Sequence, residues 1–153
     1  MDIQKLFTSE MKSKAYQISS NEDLSQLSKL ATEHDYSLFI FEGSSIFDMD
    51  DFLDQFEKLM KPPEHGRNWN SFESNFRIVS WIQTKGIIIL YRDFQNFMTS
   101  TKHNYDQSDF NELIDILVQL EIFREKRREK YQLVPFYVLM QANSEIELPF
   151  QRL

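Results

Sequence analysis

Cysteine is absent from these 153 residues, and glycine (3), proline (4) and histidine (3) are scarce. Without thiols there is no disulfide framework, thiolate metal site, iron–sulfur cluster or cysteine nucleophile, and the cytosol is the expected compartment. Three glycines furnish neither a Gly-rich phosphate loop nor a dinucleotide fingerprint, and no Gly-x-Ser-x-Gly elbow occurs. His34, His65 and His103 stand apart, with no His-Glu-x-x-His spacing. No cofactor, metal or small-molecule substrate is expected. The longest apolar run, Ile87-Ile88-Ile89-Leu90-Tyr91, falls far below the ~20 residues of a membrane span, and the N-terminus lacks a signal-peptide core. A soluble chain with no membrane partner, not exported by that route, is expected.

What the chain does have is aromatic and apolar bulk. Apolar residues make up 41% and aromatics 14%, with 14 phenylalanines, enough to build one core without external help. The net charge of −7 is unevenly distributed: residues 1–64 hold 6 Lys/Arg against 13 Asp/Glu, whereas residues 65–153 hold 11 of each. An acidic field repels phosphate backbones and favours cationic surfaces, so the expected partner is a basic protein and direct nucleic-acid binding is not expected.

Gly43, Gly66, Gly86, Pro62, Pro63 and Pro135 sit at the borders of periodic segments, and no repeat or linker divides the chain. Ile3, Leu6, Phe7 and Met11 have helical spacing within residues 2–14, Tyr16-Gln17-Ile18 reads as a short strand, and Ser20 or Asn21 is placed to cap a helix through residue 34. Leu38-Phe39-Ile40-Phe41 reads as a buried strand stopped by Gly43. Met49, Phe52, Leu53, Phe56, Leu59 and Met60 mark a helix with an acidic outer face, and Asn68 caps another whose inner face is Trp69, Phe72, Phe76 and Val79. Gly86 opens a continuous apolar strand over 87–91, as in a parallel sheet covered on both faces. A turn of helix at 94–98, a polar loop over 99–107, a long helix to about residue 129 capped by Asp109 with Glu112, and a strand over 136–140 complete the pattern. The expected fold is α/β: a small, mainly parallel sheet of three core strands, with a candidate fourth N-terminal strand, flanked by helices.

Two charged segments invite functional readings. Asp50 and Asp54 share a helix face, which is a solvated surface, a docking face for a basic partner or, with His65, the nearest thing to a hydrolase site. Arg124, Lys126, Arg127, Arg128 and Lys130 are interleaved with Glu121, Glu125 and Glu129, so Glu121–Arg124, Glu125–Arg128 and Glu125–Lys126 pairs on a solvated helix end are expected. A third surface is polar: Asn70, Glu73, Ser74 and Arg77 recur at three- and four-residue spacing beside the loop Glu64-His65-Gly66-Arg67, forming one ridge.

The segment from Pro63-Glu64-His65-Gly66-Arg67-Asn68-Trp69-Asn70-Ser71-Phe72 to Trp81 resembles the signature of the barstar-related family, with Gly66, Asn68, Trp69 and Trp81 in register. The resemblance extends to the strand and glycine turn at 38–43, the helix at 48–61, the strand at 87–91, the long helix and the closing strand at 135–140. It implies residues 37–142 as a barstar-like core, residues 1–36 as an N-terminal extension and residues 143–153 as a C-terminal tail of one domain. It further implies a non-enzymatic protein that binds and blocks a ribonuclease or toxin nuclease, as immunity proteins do, and that is monomeric when free. Where relatives carry aspartates along the binding helix, this chain has Asn70, Ser74 and Ile78. The implied contact set is therefore Glu64, His65, Arg67, Asn70, Glu73, Ser74 and Arg77, aided by Asp106 or Asp109. The alternative is a non-inhibitory interaction or regulatory module that keeps the fold without the acidic helix.

Overall fold

The computed structural model describes residues 1–8, 10–64, 66–99 and 107–153, with the side chains of Met98, Thr99, Gln107 and Glu129 left aside. His65, Asp106 and most of the loop expected over 99–107 lie outside the described residues. Five parallel strands, β1 (Ala15–Ser19), β2 (Tyr36–Glu42), β3 (Gly86–Arg92), β4 (Phe136–Ala142) and β5 (Gln151–Arg152), form one sheet in the order β2-β3-β4-β1-β5. The helices are α1 (Leu27–Glu33), α2 (Met49–Met60), α3 (Trp69–Ile78), α4 (Gln95–Thr99) and α5 (Gln107–Tyr131), after a 3-10 turn at Ile3–Phe7. The α/β class with a parallel sheet flanked by helices is the one the sequence pattern predicts.

Strand alternation separates two cores. Ile87, Ile89 and Tyr91 of β3, with Phe136, Val138 and Met140 of β4, face α2, α3 and α5 through Phe52, Phe56, Phe72, Phe76, Ile116 and Leu120. Ile88 and Leu90, with Tyr16, Ile18, Tyr137 and Leu139, pack on the opposite face with Leu6, Leu27 and their half-buried neighbours. Both central strands are therefore buried on both sides, which explains their unbroken apolar runs.

Several expectations are corrected. The helix read from residue 21 starts at Leu27, because Ser19 Oγ accepts from Asn21 N (3.1 Å) and Asp23 Oδ1 from Ser25 N (3.0 Å), holding the preceding stretch in turns. Leu38–Phe41 is not a buried strand: β2 lies at the sheet edge, and only Phe41 among its residues is fully buried. The segment read as a tail adds β5 beside β1. It is fixed through the buried Gln17, whose Nε2 donates to Ile146 O (2.6 Å) and whose Oε1 accepts from Leu148 N (2.9 Å). One sheet thus runs through the expected extension, core and tail.

Four tyrosines are tuned by burial. Tyr137, donating to Met11 O (3.3 Å), is pushed up to about 12, and Tyr91 stands well above the usual phenol range, with the Asp51 charge adding to burial. Tyr16 and Tyr36 are raised by the same cause, Glu121 adding for Tyr16. A raised folded-state value means stability that is complete below the ordinary phenol range and lost as pH climbs through the folded value. Urea midpoints should therefore fall between about pH 10 and 12, with Tyr137 alone contributing about 2 kcal/mol. Part of the fall is offset by the buried Arg124 guanidinium, which burial lowers to about 10 and which sheds its desolvation penalty over the same range. Tyr137→Phe should flatten that fall, and an unaltered pH profile in this variant would remove Tyr137 from the account.

Candidate functional site

The candidate surface is carried by α3 and the loop before it, and each end of that helix is fixed by identifiable chemistry. At the start, Asn68 is extended and its Oδ1 accepts from Ser71 N (2.8 Å), the N-cap the sequence predicts. At the end, Val79 adopts a left-handed conformation (φ 49°), which is strained for a β-branched residue and is held there by burial of its side chain. The inner face, Trp69, Phe72, Asn75 and Phe76, is buried, so α3 cannot roll.

The two signature tryptophans act as struts. Trp69 Nε1 donates to Asp109 Oδ1 (2.9 Å), tying the start of α3 to the first turn of α5. Asp109 is the third residue of α5, so it is not the cap the sequence suggested; its carboxylate is spent on the indole. Trp81 Nε1 donates to Met60 O (2.6 Å), holding the C-terminal end of α2. The buried Asn75 donates to Glu64 O (3.4 Å), securing the loop from beneath.

On the outer side, Asn70 and Ser74 are exposed one turn apart, and Ser74 Oγ donates to Asn70 O (3.0 Å). Glu73 and Arg77, half-buried, form an ion pair along the same ridge. Arg77 also lies over the Phe123 ring (4.9 Å), which Arg127 stacks at 4.0 Å. Glu64 is exposed. Arg67 folds back onto α2, 2.7 Å from Asp54, 3.5 Å from Glu57 and 3.9 Å from Asp50, and the hydrogen bond and charge of Asp54 hold its guanidinium above the usual range. The structure thus sets Asn70, Glu73, Ser74 and Arg77 along one face of α3, with Glu64 exposed in the loop before it, whereas Arg67 is turned onto α2 and Asp109 is tied to Trp69. Asp50 and Asp54 are solvent-facing counter-ions of Arg67, and His65, the third residue of the hydrolase reading, lies outside the described residues. Among the described residues no three His, Asp or Glu side chains gather to hold a metal ion, and no helix is long and apolar enough to cross a membrane.

Sequence reasoning misplaced Arg124. It is 3% exposed, not part of a solvated cationic face. Nη1 donates to Arg77 O (3.0 Å) in the last turn of α3, Nη2 donates to Val134 O ahead of β4, and the guanidinium lies over Phe136 (5.1 Å). Glu121 pairs instead with Lys12 (3.7 Å) and Lys14 (3.8 Å), and among the described residues no ion pair joins Glu125 to Arg128 or Lys126. The clue available in the sequence was phase: Leu113, Leu117, Leu120 and Arg124 share one helical stripe.

A family model described as Barstar (barnase inhibitor) matches residues 36–140, from the first residue of β2 into β4, and so includes the loop, α3 and both tryptophan struts. No curated protein matches the chain. That family consists of protein-binding inhibitors, not enzymes, which accords with a surface built from a fixed helix and a pinned loop. With the match spanning most of its length and the parallel α/β sheet in place, the chain belongs to the barstar family.

Proposed function

We propose that the outer face of the loop at 64–68 and α3 is a plug that seats in the active-site cleft of a ribonuclease or toxin nuclease and blocks it without chemistry. The observation that carries this reading is the presentation of Asn70 and Ser74, solvent-exposed and one turn apart, on a helix whose ends and inner face are fixed within the segment matching the barstar family. A preorganised donor and acceptor pair loses little freedom on binding, so its hydrogen bonds count nearly in full. Charge comes from the neighbouring acidic surface, where Asp50, Asp54 and Glu57 surround Arg67, and from the exposed Glu64, and it suits a cationic, RNA-binding cleft.

Capture from native cell extract on the immobilised chain, followed by a nuclease assay of the bound fraction, tests the reading. A nuclease should be retained and silenced, and Asn70→Ala/Ser74→Ala should weaken its binding about tenfold or more while thermal unfolding stays unchanged. Equal affinity of the double variant would take this face out of the mechanism. A second reading, a non-inhibitory interaction module, is favoured by the Glu73–Arg77 pair, which neutralises the ridge internally. It predicts a captured protein with no change in nuclease activity.

A further inference from the structure

Among the described residues nothing pairs with most of the outer edge of β2. β2 pairs with β3 alone, in unbroken register from Tyr36–Gly86 to Glu42–Arg92, with no bulge, and its sequence YSLFIFE contains neither proline nor lysine. Sheets usually shield an edge with such devices, and the opposite edge, β5, is only 2 residues long. Tyr36, Leu38, Phe39 and Ile40 are all left half-exposed.

Which backbone groups face outward follows from their partners. Asp35 O accepts from Lys85 N (3.0 Å) and Ser37 N donates to Thr84 Oγ1 (3.1 Å), so 35 and 37 face the β3 side. Glu42 faces the other way: its N–H donates to Gln55 Oε1 (3.0 Å) and its C=O accepts from Gln55 Nε2 (3.1 Å), the side-chain amide standing in for a strand. Because successive residues alternate, Tyr36, Leu38 and Ile40 present their N–H and C=O groups outward between the turn at Asp35 and the Gln55 plug.

We infer that this edge pairs with a second copy of itself, β2 against β2 in antiparallel register about a two-fold axis at Leu38. That register is selected by the free groups: Tyr36 opposes Ile40 of the other copy, Leu38 opposes Leu38, and all three outward residues exchange both backbone hydrogen bonds. Shifting the axis toward Glu42 would set groups already bound to Gln55 against the partner's free ones. The same register gives an aromatic against β-branched pair twice and a leucine pair at the axis, all on the thinly covered face of the sheet. Charges match as well. The Asp35–Lys85 pair (3.4 Å) at one end of β2 comes beside the Glu42–Arg92 pair (3.6 Å) of the other copy, and exposed His34 opposes Glu42, so no like charge is left unbalanced. An isologous, self-complementary contact of this kind closes at two copies. This assembly departs from the free monomer that the family resemblance implies.

Sedimentation velocity of the full chain across a wide concentration series reads this directly. The wild-type chain should convert from monomer to dimer with a micromolar dissociation constant. Leu38→Lys and Leu38→Glu should each sediment as monomers, since like charges then meet at the axis, and an equimolar mixture of the two should restore a dimer. Leu38→Pro, which removes only an outward N–H, should also be monomeric, and circular dichroism melts establish that each variant is folded. A wild-type chain that stays monomeric throughout overturns the inference. So does a dimer that survives in every variant or is not rescued by mixing, because another surface would then hold it.

Discussion

Replacing Gly43 by alanine is expected to destabilise the protein by about 3–5 kcal/mol, among the largest effects of a single methyl anywhere in the chain. Gly43 follows β2 directly and is buried where the chain crosses the end of β3. A Cβ there would lie inside contact distance of Arg92 O and 2.6 Å from Asp93 O. These are backbone atoms, and Asp93 is already held in a left-handed conformation (φ 51°), so neither can rotate aside as a side chain would. The strain would pass to the 3-10 turn at Gly43–Ser45 and then to α2, which carries the acidic patch. Gly66 is the control. A Cβ there would lie 2.5 Å from the Ser71 hydroxyl, which can turn, and 2.6 Å from Ser71 Cβ, which cannot, so the loop itself must shift. Because Gly66 is exposed where Gly43 is buried, Gly66→Ala should cost about 1–2 kcal/mol, less than Gly43→Ala. Urea denaturation of both variants decides the matter, and a Gly43→Ala midpoint equal to that of Gly66→Ala would show that the crossing is not close-packed.

The second large effect is expected at Arg124. Truncation to alanine removes both donors that hold Arg77 O and Val134 O and empties the space over Phe136, and about 2–4 kcal/mol should be lost. The buried guanidinium has no carboxylate partner among the described residues, and burial lowers it to about 10. With the folded value depressed, the desolvation penalty is present at every pH below about 10, so the charge itself weakens the fold at neutral pH. Arg124→Met, which fills the volume without the charge, should therefore cost about half as much as Arg124→Ala, although it too leaves the carbonyls unpaired. Arg128→Ala, on the exposed side of the same helix, should stay within about 0.5 kcal/mol of wild type. Faster amide exchange in the last turn of α3 in Arg124→Ala would confirm that this arginine fixes the candidate surface from behind. Equal stabilities for the alanine variants at 124 and 128 would refute it.

Elements with a strong period were legible in the sequence. Asn68 was recognisable as the cap of α3, and the run at 87–91 announced a doubly covered strand, because capping and burial are local consequences of residue type. The ridge of Asn70, Glu73, Ser74 and Arg77 was legible for the same reason, since helical spacing alone fixes which side chains share a face. The partners of those side chains were not. Arg67 reaches Asp54 across a helix boundary, Trp69 reaches Asp109 forty positions later, and Arg124 crosses to Arg77. Each contact depends on how separate helices lie on the sheet, which no single-segment pattern encodes.

The amino-acid order by itself determined the α/β class, the placement of α2, α3 and α5, the lack of thiol chemistry and the family signature, all properties carried by short stretches or by composition. Strand order was decided only in three dimensions. Apolar run and period are the same for an interior strand and an edge strand, so nothing in Leu38-Phe39-Ile40-Phe41 revealed that β2 borders solvent, or that Gln151–Arg152 closes the far side of the sheet. Edge or interior is a property of which neighbours arrive, and those neighbours come from distant parts of the chain.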